Sequence, residues 1–181
     1  LDRVAPVNLY EEGQHINTIW AVRSAGIDPS NGRELFIKKD GTYTYDFSYD
    51  DEVIVGTARA KIEGNLGTTF TYGGLTVGLN FGYRLGGKAF NYDLYNKVEN
   101  ISGASLAYNQ DKRALYDRWQ KPGDIVQFKR LTSTYNDEEG KTHNEVTRAT
   151  TRFVQKRSEL SFSSLSVYYE FPKKLIKPMH M

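Results

Sequence analysis

The chain has 181 residues, the length of one ordinary domain, and a net charge of +2 that is too small to call for nucleic acid or an acidic partner. It has no cysteine, which excludes disulfides and thiolate metal sites. Tyrosine (13), phenylalanine (9) and glycine (16) against two methionines favour β-structure. No apolar run approaches the ~20 residues of a transmembrane helix, but barrel strands alternate and escape that test.

Residues 1–14 carry little pattern. Residues 15–25 (HINTIWAVRSA) read as a strand with Ile16, Ile19, Trp20 and Val22 apolar. Asp28-Pro29-Ser30-Asn31-Gly32 is a strong turn, since Pro presets φ and Asn-Gly reaches the left-handed region. A short strand is expected over residues 33–38, a turn at Lys39-Asp40-Gly41, and a third strand over 42–47. The acidic Asp50-Asp51-Glu52 reads as a solvated loop leading into a β-branched run that ends at Gly56.

The cleanest signal is the stretch from Asn65 to Leu85. From Leu75 every odd position is apolar (Leu75, Val77, Leu79, Phe81, Tyr83, Leu85), and Thr76, Gly78, Asn80, Gly82 and Arg84 fill the even ones. That period of two is a strand with one greasy and one polar face. Leu66, Phe70 and Tyr72 repeat the pattern before Gly73-Gly74, the pair a tight primed turn needs. About eleven residues exceed the roughly 5–6 of an ordinary strand and match the roughly 9–11 that cross a bilayer when tilted. The polar face is nearly uncharged, as a lumen wall is, and Tyr72 and Tyr83 stand near the strand ends, where interfacial aromatic girdles lie.

After Gly86-Gly87 the chain turns polar and charged, and residues 88–156 read as one long functional loop. A short helix is expected over 111–119, capped by Asp111, with Ala114, Leu115 and Trp119 on one face and Pro122-Gly123 ending it. Residues 132–147 read as a flexible loop tip. Alternation returns with Leu165, Val167, Tyr169 and Phe171 and closes at Pro172; residues 173–177 read as a basic turn. Neither end resembles a natural terminus, so a piece of a longer protein is expected.

Residues 82–89 nearly spell a phosphate loop but carry Ala89 where Ser or Thr must stand. His15, His143 and His180 lack metal-ligand spacing, and no nucleophile–base set or carboxylate pair emerges. No catalytic residue, metal or cofactor is expected.

Several segments together resemble the C-terminal barrel region of the SusC/RagA family of TonB-dependent outer-membrane transporters. They are Ile19-Trp20-Ala21-Val22-Arg23-Ser24-Ala25-Gly26 with Asp28-Pro29 and Asn31-Gly32, then Lys39-Asp40-Gly41, Gly64 through Tyr72 with Gly73-Gly74, and Tyr83-Arg84-Leu85-Gly86-Gly87. Asn91-Tyr92, Asp117-Arg118-Trp119, Pro122-Gly123-Asp124, Thr151-Arg152-Phe153-Val154, Leu165-Ser166 and Tyr169-Glu170-Phe171-Pro172 follow in the same order. The likeness is nearest to the SusC branch, importers of starch and other oligosaccharides. It implies an all-β fold: an antiparallel transmembrane β-barrel portion, part of a 22-stranded barrel, spanning residues 1–181. The plug, the TonB-contacting segment and the final strands would lie outside it. Residues 88–156 would be an extracellular loop containing the short helix, and the Gly73-Gly74 turn would be periplasmic.

Implied partners are a SusD-like surface lipoprotein, the TonB complex, outer-membrane lipid and an oligosaccharide ligand, with no nucleic acid; the implied location is the Gram-negative outer membrane. Within the loop, Tyr92, Tyr95, Tyr108, Tyr116 and Trp119 are the candidates for ligand or lid contact, because aromatic rings stack on sugar faces. For Trp119 packing within the loop is the favoured role. The rival reading is a soluble β-sandwich carbohydrate-binding module, and a third is an accessory domain of a secreted enzyme.

Overall fold

The computed structural model describes residues 11–101, 105, 107–132, 134–136 and 139–172. Among them the strands are β1 (Thr18–Ile27), β2 (Glu34–Ile37), β3 (Tyr43–Thr44), β4 (Glu52–Thr57), β5 (Ile62–Tyr72) and β6 (Leu75–Leu85). They continue with β7 (Lys88–Phe90), β8 (Thr134–Asn136), β9 (Thr142–Asn144), β10 (Val154–Lys156) and β11 (Glu159–Tyr169). Helix is confined to short pieces, including one α-helical turn, α1 (Arg113–Tyr116), and a π-helical segment, Leu94–Glu99. The fold is all-β and mainly antiparallel, as expected. Its chain forms two compact units, one of residues 1–58 and 88–155 and the other of residues 59–87 and 156–181.

In the first unit β1 is central, in the order β3-β2-β1-β4. Ile19, Ala21, Val22 and Ile27 are its buried apolar residues, and Thr18 is buried with them. The turn into β2 is closed by Asp28 N donating to Arg33 O and Gly32 N donating to Asp28 O, both at 2.8 Å. Gly32 sits at φ +71°, and a Cβ there would lie 2.5 Å from the Trp119 ring. No other residue meets both demands. The third strand is shorter than the alternation of Tyr43, Tyr45 and Phe47 implies, only Tyr43–Thr44. Tyr45 instead donates to the Asp28 carboxylate, and the Phe47 ring packs edge-on against Phe36 and Tyr49. The expected solvated acidic loop is also only partly so: Glu52 opens β4 and is buried.

Residues 88–155, expected as an open loop, hold a core of their own. Leu94, Tyr95, Val98, Ala114, Phe128 and Phe153 form it, with Phe90 and Ile101 packed against it. The Tyr95 and Phe153 rings meet edge-on at 5.1 Å. Burying each large side chain contributes about 1.5–3 kcal/mol. These residues show no period of two because turns and helical pieces supply them, so a search for strands passes over them. The expected helix shrinks to α1: Asp111 Oδ1 accepts from Arg113 N and Ala114 is buried, but Leu115 is 60 % exposed and not on the core face. The expected flexible tip contains the β8–β9 hairpin, paired from Thr134↔Asn144 to Asn136↔Thr142. Lastly, β7 pairs with β10.

The second unit is a three-stranded sheet in the order β11-β6-β5, all antiparallel. Its central strand spans Leu75–Leu85, as the alternation predicts, and Gly73 and Gly74 turn the hairpin at φ +57° and +85°. All three strands are 11 residues long, about 37 Å at a rise of about 3.4 Å per residue. The basic turn expected at 173–177 lies outside the described residues.

Candidate functional site

Register decides what each face of the β5-β6-β11 sheet presents. Across its strands, Tyr72, Leu75 and Tyr169 form one row, Phe70, Val77 and Val167 the next, and Leu66, Phe81 and Phe162 another. The Phe81 and Phe162 rings meet at 5.6 Å. A one-residue bulge between Phe162 and Ser164 keeps β11 in phase on both sides, so Leu160 and Leu165 share the face as well. This apolar face is bare: Phe70, Val167 and Leu165 are 67 %, 63 % and 57 % exposed. Val77, Leu79 and Phe81, flanked by strands on both sides, are half-buried. A contiguous exposed apolar surface of this kind marks contact with a partner or a membrane.

The reverse face is small and polar. Thr69, Gly78 and Ser166 share a row, and Gly67, Asn80 and Ser164 share another. Asn80 Nδ2 donates to Ser164 Oγ at 3.0 Å, and the Thr71 and Thr76 hydroxyls lie 3.1 Å apart. A Cβ on Gly78 would stand 2.5 Å from Ser166 Oγ, and one on Gly67 2.6 Å from Asn80 Oδ1. The glycines thus leave room for hydroxyl and amide groups of neighbouring strands. Such a face offers hydrogen bonds, with fixed charge in the row of Glu63, Arg84 and Glu159 at one end.

The first unit is built around a buried ionic lock. Arg152 donates from Nε and Nη2 to the two Glu34 oxygens at 2.9 and 2.8 Å, and from its Nη atoms to Glu99 at 3.3 Å. Thr150 Oγ1 adds a hydrogen bond to Glu34 at 2.7 Å. Burial alone would push the Glu34 carboxyl up, but Arg152 and these hydrogen bonds hold it below its ordinary value. Burial likewise opposes the charge on Arg152, and its two carboxylates reverse that and raise its pKa. Arg118, also buried, is satisfied by main-chain carbonyls of Val98, Glu99, Ala114 and Lys129. Burial lowers its pKa.

The five aromatic candidates do not converge. Tyr95 is a core residue: it is 7 % exposed and its hydroxyl donates to Thr147 O at 3.0 Å, so its ring faces are closed to a ligand. Trp119 packs on the Gly32 turn, and its Nε1 donates to Pro29 O at 2.9 Å. Tyr92, Tyr108 and Tyr116 are exposed at 54 %, 78 % and 79 %. Tyr108 lines a cleft of about 410 Å³ shared with Asn91, Lys97 and Arg113. The sequence reading missed Glu34, Glu99 and Arg152 as a group, because 118 and 53 residues separate Arg152 from its partners.

No family model matches the chain, and no curated protein matches it in sequence. Among solved structures, the RagAB peptide importer in its "open-open" state is similar, with a TM-score of 0.67 and 21 % identity. The likeness covers 88 % of this chain and 16 % of that one. It establishes the fold: this chain folds as a segment of that much longer chain does.

Proposed function

We propose that this chain is a β-barrel segment of a SusC/RagA-type outer-membrane transporter, with the β5-β6-β11 sheet as barrel wall. The bare apolar face of that sheet carries the reading. It lies against lipid, and the polar face, mainly threonine, serine, asparagine and glycine, lines the lumen. Tyr72 and Tyr169 sit at one end of the sheet, with the Phe171 ring edge-on to Tyr169, and supply an interfacial girdle. The cargo is an oligomeric nutrient, an oligosaccharide by the sequence resemblance; the structural neighbour is a peptide importer. A SusD-like surface lipoprotein caps the assembly, TonB drives it, and the role is transport rather than catalysis. A β-sandwich module would bury this face under a second sheet, whereas Phe70, Leu165 and Val167 on it are exposed.

The test is fractionation combined with growth. The protein containing this chain should be found in outer membranes, resistant to carbonate extraction, and deletion of its gene should abolish growth on an oligosaccharide but not on its monosaccharide. Recovery in the soluble periplasmic fraction, or unchanged growth on every oligosaccharide and peptide tried, would contradict the proposal.

A further inference from the structure

We propose that the cleft beside the Leu94–Glu99 segment binds a neutral sugar unit of an oligosaccharide, with the Tyr108 ring as platform and the Asn96 and Asn109 amides as hydrogen-bonding groups. Its volume is about 410 Å³, within the roughly 300–1,000 Å³ of sites for small ligands. Leu94 and Val98 line it, and both are buried members of the core of residues 88–155. The cleft therefore stands on packed structure, which holds a site's groups in place better than a loose loop does.

Three observations set the chemistry of the ligand. The Tyr108 side chain is largely exposed, yet its main chain is held on both sides. Its N–H donates to Ser105 O at 3.1 Å, and Gln110 Nε2 donates to the carbonyls of both Ser105 and Tyr108. The ring is thus offered from a fixed turn, which reduces the ordering that binding must impose. Next, the charges of the lining cancel in pairs, Asp93 with Lys97 at 2.7 Å and Asp111 with Arg113 at 2.6 Å. An ionic ligand would be attracted by one member of each pair and repelled by the other, so the cleft favours a neutral one. Lastly, among the described residues the Asn96 and Asn109 side-chain amides make no hydrogen bond, and each offers two donors and an acceptor.

A neutral pyranose meets all three conditions. One face of the sugar ring presents C–H groups that lie flat on an aromatic ring, and its rim carries hydroxyls that donate and accept as an amide does. Tyrosine gives such contact at low entropic cost, because its ring turns about only two torsions. Tyr116 is equally exposed but is not part of this lining. The inference rests on the transport reading for an oligomeric nutrient as ligand, whereas the cleft itself belongs to one compact unit and is built without the β5-β6-β11 sheet.

Saturation-transfer NMR of the full chain, in a detergent without sugar head groups, tests it. The probes are maltotriose, cellotriose and xylotriose, against trigalacturonate and N-acetyl-trialanine amide. At least one neutral sugar should bind, about tenfold or more tighter than the acid and the peptide. Tyr108→Ala should weaken that binding about tenfold or more, Tyr108→Phe, which keeps the ring, by less than about threefold, and Tyr116→Ala not at all. Asn96→Ala and Asn109→Ala together should weaken it about fivefold. No binding of any neutral sugar, acid or peptide binding as tight as theirs, or binding untouched by Tyr108→Ala would overturn the proposal. Site and transport fail separately. Sugar binding that needs Tyr108 in a protein recovered from the soluble periplasm would contradict transport and support the site. An outer-membrane importer whose sugar binding ignores Tyr108 would contradict the site alone.

Discussion

Gly32 and Arg152 hold the first unit together by different means. Gly32 combines φ +71° with a Trp119 ring where its Cβ would stand. Gly32→Ala therefore meets strain and a clash at once and should destabilise by about 1–3 kcal/mol, read as an earlier denaturation midpoint in tryptophan fluorescence. An unchanged midpoint would show that the Trp119 ring moves aside freely. Arg152→Met removes the charge facing two buried carboxylates and should cost about 3–5 kcal/mol. The lock also fixes a pH dependence. Glu34 has an ordinary value of 4.5 and a lower one in the folded protein. Its contribution is complete above about 4.5 and is lost as pH falls through the lowered value. Denaturant midpoints should drop between about pH 5 and about pH 3, and less steeply in Glu34→Gln. A wild-type midpoint flat over that range would contradict the lock.

At the scale of elements, whatever rests on neighbours in sequence was legible in it. The β5–β6 hairpin shows itself through alternation and Gly73-Gly74, and the β1–β2 turn through Asp28-Pro29 and Asn31-Gly32, because short-range sterics set both. The core of residues 88–155 was not legible. Tyr95 reads as a surface aromatic until Phe90 and Phe153, 5 residues before it and 58 after, close over it. Phe153 is fully buried, and Phe153→Ala should cost about 3–5 kcal/mol. On the sheet, Val77→Arg should cost about 2–4 kcal/mol in a bilayer, where the midplane excludes charge. Asn80→Arg, on the polar face, should cost clearly less. Urea titration of the protein refolded into lipid compares the two, and equal penalties would show that the faces do not differ in environment.

For the whole molecule, the bare rows of apolar side chains make plain water a poor solvent for this chain. The purified 181-residue chain should sediment as large assemblies in buffer and as small particles in detergent; a monodisperse, cooperatively melting monomer in buffer would favour the sandwich module. The central claim, that one face of β5-β6-β11 meets lipid and the other water, has a more direct test. The chain contains no cysteine, so single cysteines carrying a nitroxide label can be placed cleanly at 77, 78, 79, 80, 165 and 166 in the transporter reconstituted in liposomes. Collision with oxygen, which concentrates in the bilayer, and with a water-soluble nickel chelate should alternate out of phase with a period of two. Positions 77, 79 and 165 should favour oxygen, and 78, 80 and 166 the chelate. Equal protection of 77, 79 and 165 from both reagents would place them in a protein core and contradict the account.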